Sequence, residues 1–249
     1  MDMKRETPPA NSPLGDPRYL EVTYPGERAP PGAYPDLLAR HLLDRVYHRP
    51  GKLLDIGCGR GDHLHAFSRL GFEVEGVDIS PAAQEPGETF PVSICDLECA
   101  EIPLPDGGFD FIFSKSVLEH LHHPMGLLRN ACRLLKPGGV AVIMTPSWAH
   151  TYWGPFYIDH THVTPFTVPS LADALSIAGF AEVRVSHFRQ LPFLWKHPGL
   201  TPVAWLFAIL PLSYRPYQDA RWGDGMNKLI RFSKEVMLLG TARKPAGER

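Results

Sequence analysis

At 249 residues the chain is long enough for one large domain or two small ones. Its 44% hydrophobic and 21% charged residues lie near the globular average, which excludes wholesale disorder and coiled coil. Lys+Arg 25 against Asp+Glu 27 leaves a net charge of −2, so there is no basic field for a phosphate backbone, and nucleic acid is excluded as the main partner. Cys58, Cys95, Cys99 and Cys132 show neither CxxC nor zinc spacing and are read as reduced thiols of a cytoplasmic protein. The opening MDMKRETPPANSP has no apolar run, so no secretory signal is expected.

Prolines at 8, 9, 13, 17, 25, 30, 31 and 35 rule out a sustained helix or central strand, so residues 1–35 are read as an irregular arm carrying Tyr19, Tyr24 and Tyr34. Leu37, Leu38, Leu42, Leu43 and Val46 recur at helical spacing, and Arg49-Pro50-Gly51 stops that helix. Strands are then expected at Lys52–Gly57, Glu73–Asp78, Phe90–Cys95, Phe109–Ser114, Val140–Thr145, Ala181–Phe188 and Glu235–Ala242. Helices are expected at His63–Leu70, Val117–His122, Met125–Leu135 and Ser170–Ala178. Strands and helices alternating in steps of this size specify a doubly wound α/β domain, a mostly parallel sheet with helices on both faces. The domain is set at 36–243, with an insertion at 189–234 and a tail at 244–249.

Between the first strand and its helix, Leu53-Leu54-Asp55-Ile56-Gly57-Cys58-Gly59-Arg60-Gly61 sets glycines at alternate positions. Glycine there permits positive φ and close approach of a ligand, at the strand edge where open α/β sheets bind. Asp78 ends the next strand about 20 residues on, where a carboxylate accepts ribose hydroxyls; as a mere turn acid it would cap Ser80-Pro81. The spacing is GxGxG, not the GxGxxG of dinucleotide folds, and no Tyr-x-x-x-Lys pair appears, which argues against a nicotinamide-dependent oxidoreductase.

LLDIGCGRG and VEGVDIS, followed by Ile94-Cys95-Asp96-Leu97, FDFIFSKSVLEHL and LLKPGGVAVI, together resemble the ordered motifs of class I S-adenosylmethionine (SAM)-dependent methyltransferases, over about Lys52 to Phe188. That resemblance implies a Rossmann-like seven-stranded sheet of order 3-2-1-4-5-7-6 with strand seven antiparallel. It implies SAM as cofactor and S-adenosylhomocysteine as product. Gly57, Gly59 and Gly61 would admit the methionine part, and Asp55 would anchor the loop or the ammonium. Asp78 would take the ribose, with Ile79 against adenine. Asp96 would accept the adenine amino group, Leu97 would offer a backbone N–H, and Ser114 and Lys115 would line the methionine end. One departure is that Pro81 to Pro86 leaves little room for a helix between strands two and three.

The stretch 146–167 gathers Trp148, Tyr152, Trp153, Phe156, Tyr157 and Phe166 around His150, Asp159, His160 and His162. Aromatics wall a pocket, and a His beside an Asp is a poised base near neutral pH. DHTHVTPFT resembles a block of bacterial methyltransferases from small-molecule and surface-glycan pathways. His160 and His162 stand open to three readings: general base, metal ligands with Asp159 or another acid, or scaffolding. His160 with Asp159, His162 and His120 form the expected catalytic set, and no metal is assigned. His122 and His123 are read as helix-end caps, and His63 and His65 as surface residues.

The expected activity is methyl transfer from SAM to a small-molecule, lipid-linked or glycan-type acceptor, preferably at oxygen; the alternative is a SAM-binding scaffold or regulator without turnover. Residues 198–214 (PGLTPVAWLFAILPLSY) carry no charge, yet are too short and proline-broken to span a bilayer comfortably. They are read as a buried helical lid or homodimer interface at Ala204–Leu210, or as a peripheral membrane contact through Trp205 and Phe207, which would make the cytoplasmic protein membrane-associated.

Overall fold

The computed structural model describes residues 33–80, 83, 89–98, 101–214 and 224–247. Most of the proline-rich arm, with Tyr19 and Tyr24, lies outside these residues, as do Cys99 and the Pro81 to Pro86 connection apart from Ala83. Strands β1 (Lys52–Ile56), β2 (Glu73–Asp78), β3 (Val92–Ile94), β4 (Phe109–Lys115), β5 (Leu135–Pro146), β6 (Ala181–Phe188) and β7 (Met237–Arg243) form one sheet. Its order is β3-β2-β1-β4-β5-β7-β6. The first five strands run parallel, and β7 is antiparallel to both neighbours. The order and the reversed strand are those the sequence motifs imply.

Alternation along the strands divides the core in two. Leu54, Ile56 and Ile112 face helices α3 (Pro124–Leu134) and α5 (Val168–Ile177), in a cluster with Leu127, Leu171 and Leu175. Leu53, Phe111 and Phe113 face the opposite side, under α1 (Tyr34–Leu42) and α2 (Asp62–Ser68) with Leu38, Leu42 and Phe67. A sheet covered on both faces needs apolar residues at successive positions, which is why KLLDI and FDFIF read as continuous runs. Between α3 and α5, a short helix α4 (Trp148–Thr151) opens the aromatic loop. Phe113 is fully buried, with its ring 5.3 Å from Phe67. Phe113→Ala should cost about 3–5 kcal/mol of stability, visible as a lower urea midpoint at unchanged slope; a midpoint within error of wild type would contradict this packing.

Several boundaries differ from expectation. The first helix ends at Leu42 and loosens into a π turn over Leu43–Tyr47, closed by His48 at φ 62°. In place of a helix over Val117–His122 there is a single 3-10 turn, Leu118–His120, because Val117 and Leu121 leave helical geometry. Strand β5 starts at Leu135 rather than Val140: Leu135 pairs with Phe109, and an irregularity before Phe111 absorbs Pro137-Gly138-Gly139.

In the insertion, α6 (Pro192–Lys196), α7 (Thr201–Ile209) and α8 (Asp224–Lys234) follow β6, while 215–223 lie outside the described residues. The helix expected at Ala204–Leu210 is present, but its apolar side chains are mostly not covered within the chain. Only Ala204 of α7 is buried, against Leu191, Leu194, Leu229 and Phe232, whereas Trp205 is 61% and Ile209 63% exposed. Tyr34 ties the start of α1 to this region, its hydroxyl donating to Gln190 at 3.1 Å and its ring edge-on to Trp195.

Candidate active site

The parallel strands bring the C-terminal ends of β1, β2 and β4 to one edge, with Asp55 level with Gly76 and Phe113. Beyond β1 the chain turns through Gly57, Gly59 and Gly61 at φ 81°, 51° and 78°. A Cβ on Gly57 would come within 2.2 Å of Val117 Cγ2, while none of the described residues comes within 4 Å of the corresponding point on Gly59. Gly57 is thus needed for packing, and Gly59 leaves space open to a ligand. The Gly57 and Cys58 N–H groups donate to the Val77 carbonyl at 2.7 and 3.2 Å. Asp78 is buried, and its two oxygens accept from the N–H groups of Gly59 and Ser80, both at 2.8 Å. One carboxylate therefore shapes the glycine turn and retains lone pairs for hydroxyls.

Asp96 accepts the Glu98 N–H at 2.9 Å through Oδ1, while its Oδ2 is buried with no hydrogen-bond partner among the described residues. An orphaned acceptor of this kind fits an amino group donated by a ligand. Ile79 is half-buried and packed against the core, and Leu97 is buried beside it. Together with the open glycine turn and Asp78, these residues fit the adenosine part of SAM.

Four ionisable groups continue inward from the turn. Burial raises the Asp55 carboxyl to about 8, helped by Asp78 and opposed by Lys115. Burial lowers the Lys115 ammonium, with Glu119 and Asp55 favouring its charge and Arg231 opposing it. Glu119 is pushed up to about 7 by burial. His63, expected at the surface, instead sits with its ring 5.0 Å from Phe113; burial and Lys115 hold it neutral down to about 3. Ser114 is buried, its hydroxyl donating to the Ile56 carbonyl at 2.8 Å, so it braces β1 against β4. Ser116 then adopts φ 58°, an uncommon turn for a non-glycine residue, which directs the chain toward Glu119.

On the assignment of Asp55 to the methionine ammonium, its raised pKa carries a sign. Below pH 8 the free protein holds a proton there, and a bound cation expels it. SAM affinity should therefore rise as pH goes from 6 to 7.5, by up to about tenfold per unit. Calorimetry in buffers of different ionisation enthalpy would register the released proton; a flat profile would contradict the assignment.

The aromatic loop supplies the last part. Glu119 is buried, accepting from the Thr145 hydroxyl at 2.9 Å through Oε2, and its carbonyl receives the N–H groups of Val163 and Thr164. His120 Nδ1 lies 2.8 Å from Thr161 Oγ1, whose hydroxyl donates to Asp159 at 2.6 Å. His162 Nδ1 donates to the Phe156 carbonyl at 2.6 Å, and its ring stands 4.6 Å from that of His120. Burial lowers both imidazoles, His120 to about 4. The loop thus brings His120, Asp159 and His162 together with Glu119, but leaves His160 exposed. The structure differs from the expectation centred on His160 in where that side chain stands: buried Asp159 and Thr161 turn the residue between them outward. Glu119 and Thr161 were not singled out from the sequence, although the pairing of Glu119 with His120 after β4 was the available signal. The expected cap at His122 and His123 takes another form, since their N–H groups donate to Glu98 at 2.6 and 3.1 Å.

The sheet order, the reversed β7 and the glycine turn define a Rossmann-like domain of the methyltransferase type. The chain matches the methyltransferase-domain family over residues 28–185. It is 32% identical over 129 residues to a demethylmenaquinone methyltransferase of Tropheryma whipplei (strain Twist), covering 50% of this chain and 53% of that protein. It is 31% identical over 116 residues to a ubiquinone biosynthesis O-methyltransferase of Xanthomonas campestris pv. campestris (strain B100), covering 42% and 47%. The chain thus spans about half the length of the curated relatives it matches. In fold it is similar to a SAM-dependent methyltransferase from Archaeoglobus fulgidus, at a TM-score of 0.59 and 22% identity, covering 91% of this chain and 98% of that one. The chain belongs to the SAM-dependent methyltransferase family.

Proposed function

We propose that the protein transfers the methyl group of SAM to an oxygen of a small-molecule acceptor, lipid-linked or of glycan type. The observation that carries this reading is the cluster of buried Glu119, His120, Asp159 and Thr161 with half-buried His162 past the end of β4. SAM supplies a methyl on a sulfonium sulfur, which an oxygen nucleophile displaces in line, leaving S-adenosylhomocysteine. Gly57, Gly59 and Gly61 admit the methionine part, and Asp55 holds its ammonium. Asp78 accepts the ribose hydroxyls. Ile79 lies against the adenine, Asp96 Oδ2 accepts its amino group, and the Leu97 N–H reaches a ring nitrogen. Ser114 and Lys115 form the wall at the methionine end. His162, its Nδ1–H fixed on the Phe156 carbonyl, presents Nε2 to the acceptor and takes the hydroxyl proton. Asp159 and Thr161 hold His120 in register beside it.

A screen with methyl-labelled SAM over hydroquinones, phenols, sugars and glycan precursors tests this function. Label appearing in an O-methyl product supports it; SAM binding without transfer to any acceptor favours the scaffold reading.

The face of α7 supports a lipid-linked acceptor. Val203, Trp205, Leu206 and Ile209 are exposed, and no helix among the described residues is long and apolar enough to cross a membrane. An apolar face with an aromatic residue suits the headgroup boundary. The names of the two relatives, both quinone-pathway methyltransferases, agree with an apolar acceptor. The protein should sediment with anionic liposomes, and Trp205→Ser with Ile209→Ser should abolish sedimentation while SAM affinity holds. Equal sedimentation of wild type and variant, or none by either, would contradict the contact.

A further inference from the structure

The geometry points to a divalent transition-metal site formed by Glu119, His120 and His162, a site that deepens the proposed function by placing an ion where the acceptor oxygen must stand. Each of the three residues offers one ligand atom, and these atoms lie within 4.8 Å of one another. Donors held about 2.0–2.2 Å from one ion stand roughly 3–4 Å apart, so small rotations of the imidazoles close the set.

A second, independent observation concerns Glu119. The carboxyl is 1% exposed, and Oε2 is taken by Thr145, but Oε1 is buried without any hydrogen-bond partner among the described residues. A buried carboxylate oxygen left unpaired is costly. An ion between the carboxylate and the imidazoles removes that cost.

The surroundings of the two histidines have the form that metal sites require. A ligating imidazole ordinarily donates its other N–H to a carbonyl or carboxylate, which fixes the tautomer and the ring plane. His162 does so to the Phe156 carbonyl at 2.6 Å. His120 does so through Thr161, whose hydroxyl passes the contact to Asp159 at 2.6 Å. For His162 Nδ1 is thereby committed, which makes its Nε2 the nitrogen to bind an ion, and His120 offers one nitrogen toward the same point. The three ligands come from two segments, the 3-10 turn after β4 and the aromatic loop after β5. They are locked together by the Val163 and Thr164 N–H groups on the Glu119 carbonyl.

Two nitrogens and one carboxylate oxygen select borderline ions such as zinc, cobalt, iron(II) or manganese over calcium or magnesium, which prefer all-oxygen sets. Three protein ligands also leave at least one position for an oxygen of the acceptor or for water. On the proposed function, His162 is the base in the ion-free chain and a ligand when the ion is bound; the ion then lowers the hydroxyl pKa so that the proton leaves to solvent water before the methyl is transferred.

The test uses the full chain after chelator dialysis, titrated with Zn2+ by calorimetry and with Co2+ by visible absorption, in the absence of SAM. One ion per chain should bind at micromolar or lower Kd, with Co2+ giving ligand-field bands. Glu119→Gln and, separately, His162→Asn should each weaken binding at least a hundredfold. Thr161→Val, which touches no ion, should weaken it by about 10–100-fold through His120. SAM titration of each variant reports its folding independently, and the half-buried, loop-borne His162 keeps the test open if Glu119→Gln fails to fold. No stoichiometric binding, or binding unchanged in His162→Asn, would overturn the site. The outcome is separable from that of the proposed function. Metal binding without SAM binding keeps the site and sinks the methyltransferase reading, whereas SAM-dependent transfer unaffected by chelation, with no ion bound, does the reverse.

Discussion

Asp78→Ala is expected to weaken both SAM and S-adenosylhomocysteine about a hundredfold. The buried carboxylate accepts the Gly59 and Ser80 N–H groups at 2.8 Å each, and on the proposed assignment it also accepts the ribose hydroxyls. Losing a hydrogen bond to a charged group costs about 1.5–3 kcal/mol, and freeing Gly59 from its φ of 51° adds ordering entropy to the binding step. About 2.7 kcal/mol corresponds to a hundredfold in Kd. Asp78→Asn separates the contributions. An amide keeps one acceptor oxygen, so part of the loop survives, and the loss should be nearer tenfold. Calorimetry giving wild-type affinity for Asp78→Ala would remove the ribose assignment and, with it, the role of the glycine turn.

His162→Ala should lower kcat by about 10²–10³-fold while SAM affinity stays within twofold. Positioned proton transfer contributes about 10²–10⁴ in rate, and an effect on kcat and kcat/KM together marks an interaction made at the transition state. The contrast is with His160→Ala, two residues away, which should stay within twofold of wild type because that side chain is exposed. Equal losses in the two variants, or loss only in His160→Ala, would mean that the loop closes differently around the acceptor than its packed state indicates.

The difference between those histidines shows where sequence reasoning reaches its limit. The sheet was legible to within a residue or two at β1, β2, β4 and β6, because runs such as KLLDI and FDFIF admit only strands buried on both faces. The glycine turn and Asp78 were legible because their chemistry is local: positive φ at Gly57 and an acid at a strand end are both fixed by neighbours in sequence. The aromatic loop was legible as a stretch of aromatics and histidines but not in its internal orientation. Whether His160 or His162 turns inward depends on Asp159 bonding to Thr161 and on Phe156 presenting a carbonyl, contacts that no periodicity encodes. Glu119 was hidden for a related reason, since its partner Thr145 lies 26 residues away on β5. The α7 segment failed differently. Its apolar composition suggested burial, yet only Ala204 is fully buried within the chain, and composition does not say what covers a face.

The central claim is that one edge of the sheet binds SAM and delivers its methyl to an acceptor oxygen held by the Glu119, His120 and His162 cluster. It is met most directly by incubating the protein with methyl-labelled SAM and a pool of hydroxyl acceptors weighted toward hydroquinones, then locating the label by mass spectrometry. The account predicts label in an O-methyl product, formed by wild type and His160→Ala alike and reduced at least a hundredfold in His162→Ala. Label that lands on nitrogen or carbon, or an O-methyl product formed at the wild-type rate by His162→Ala, would contradict it.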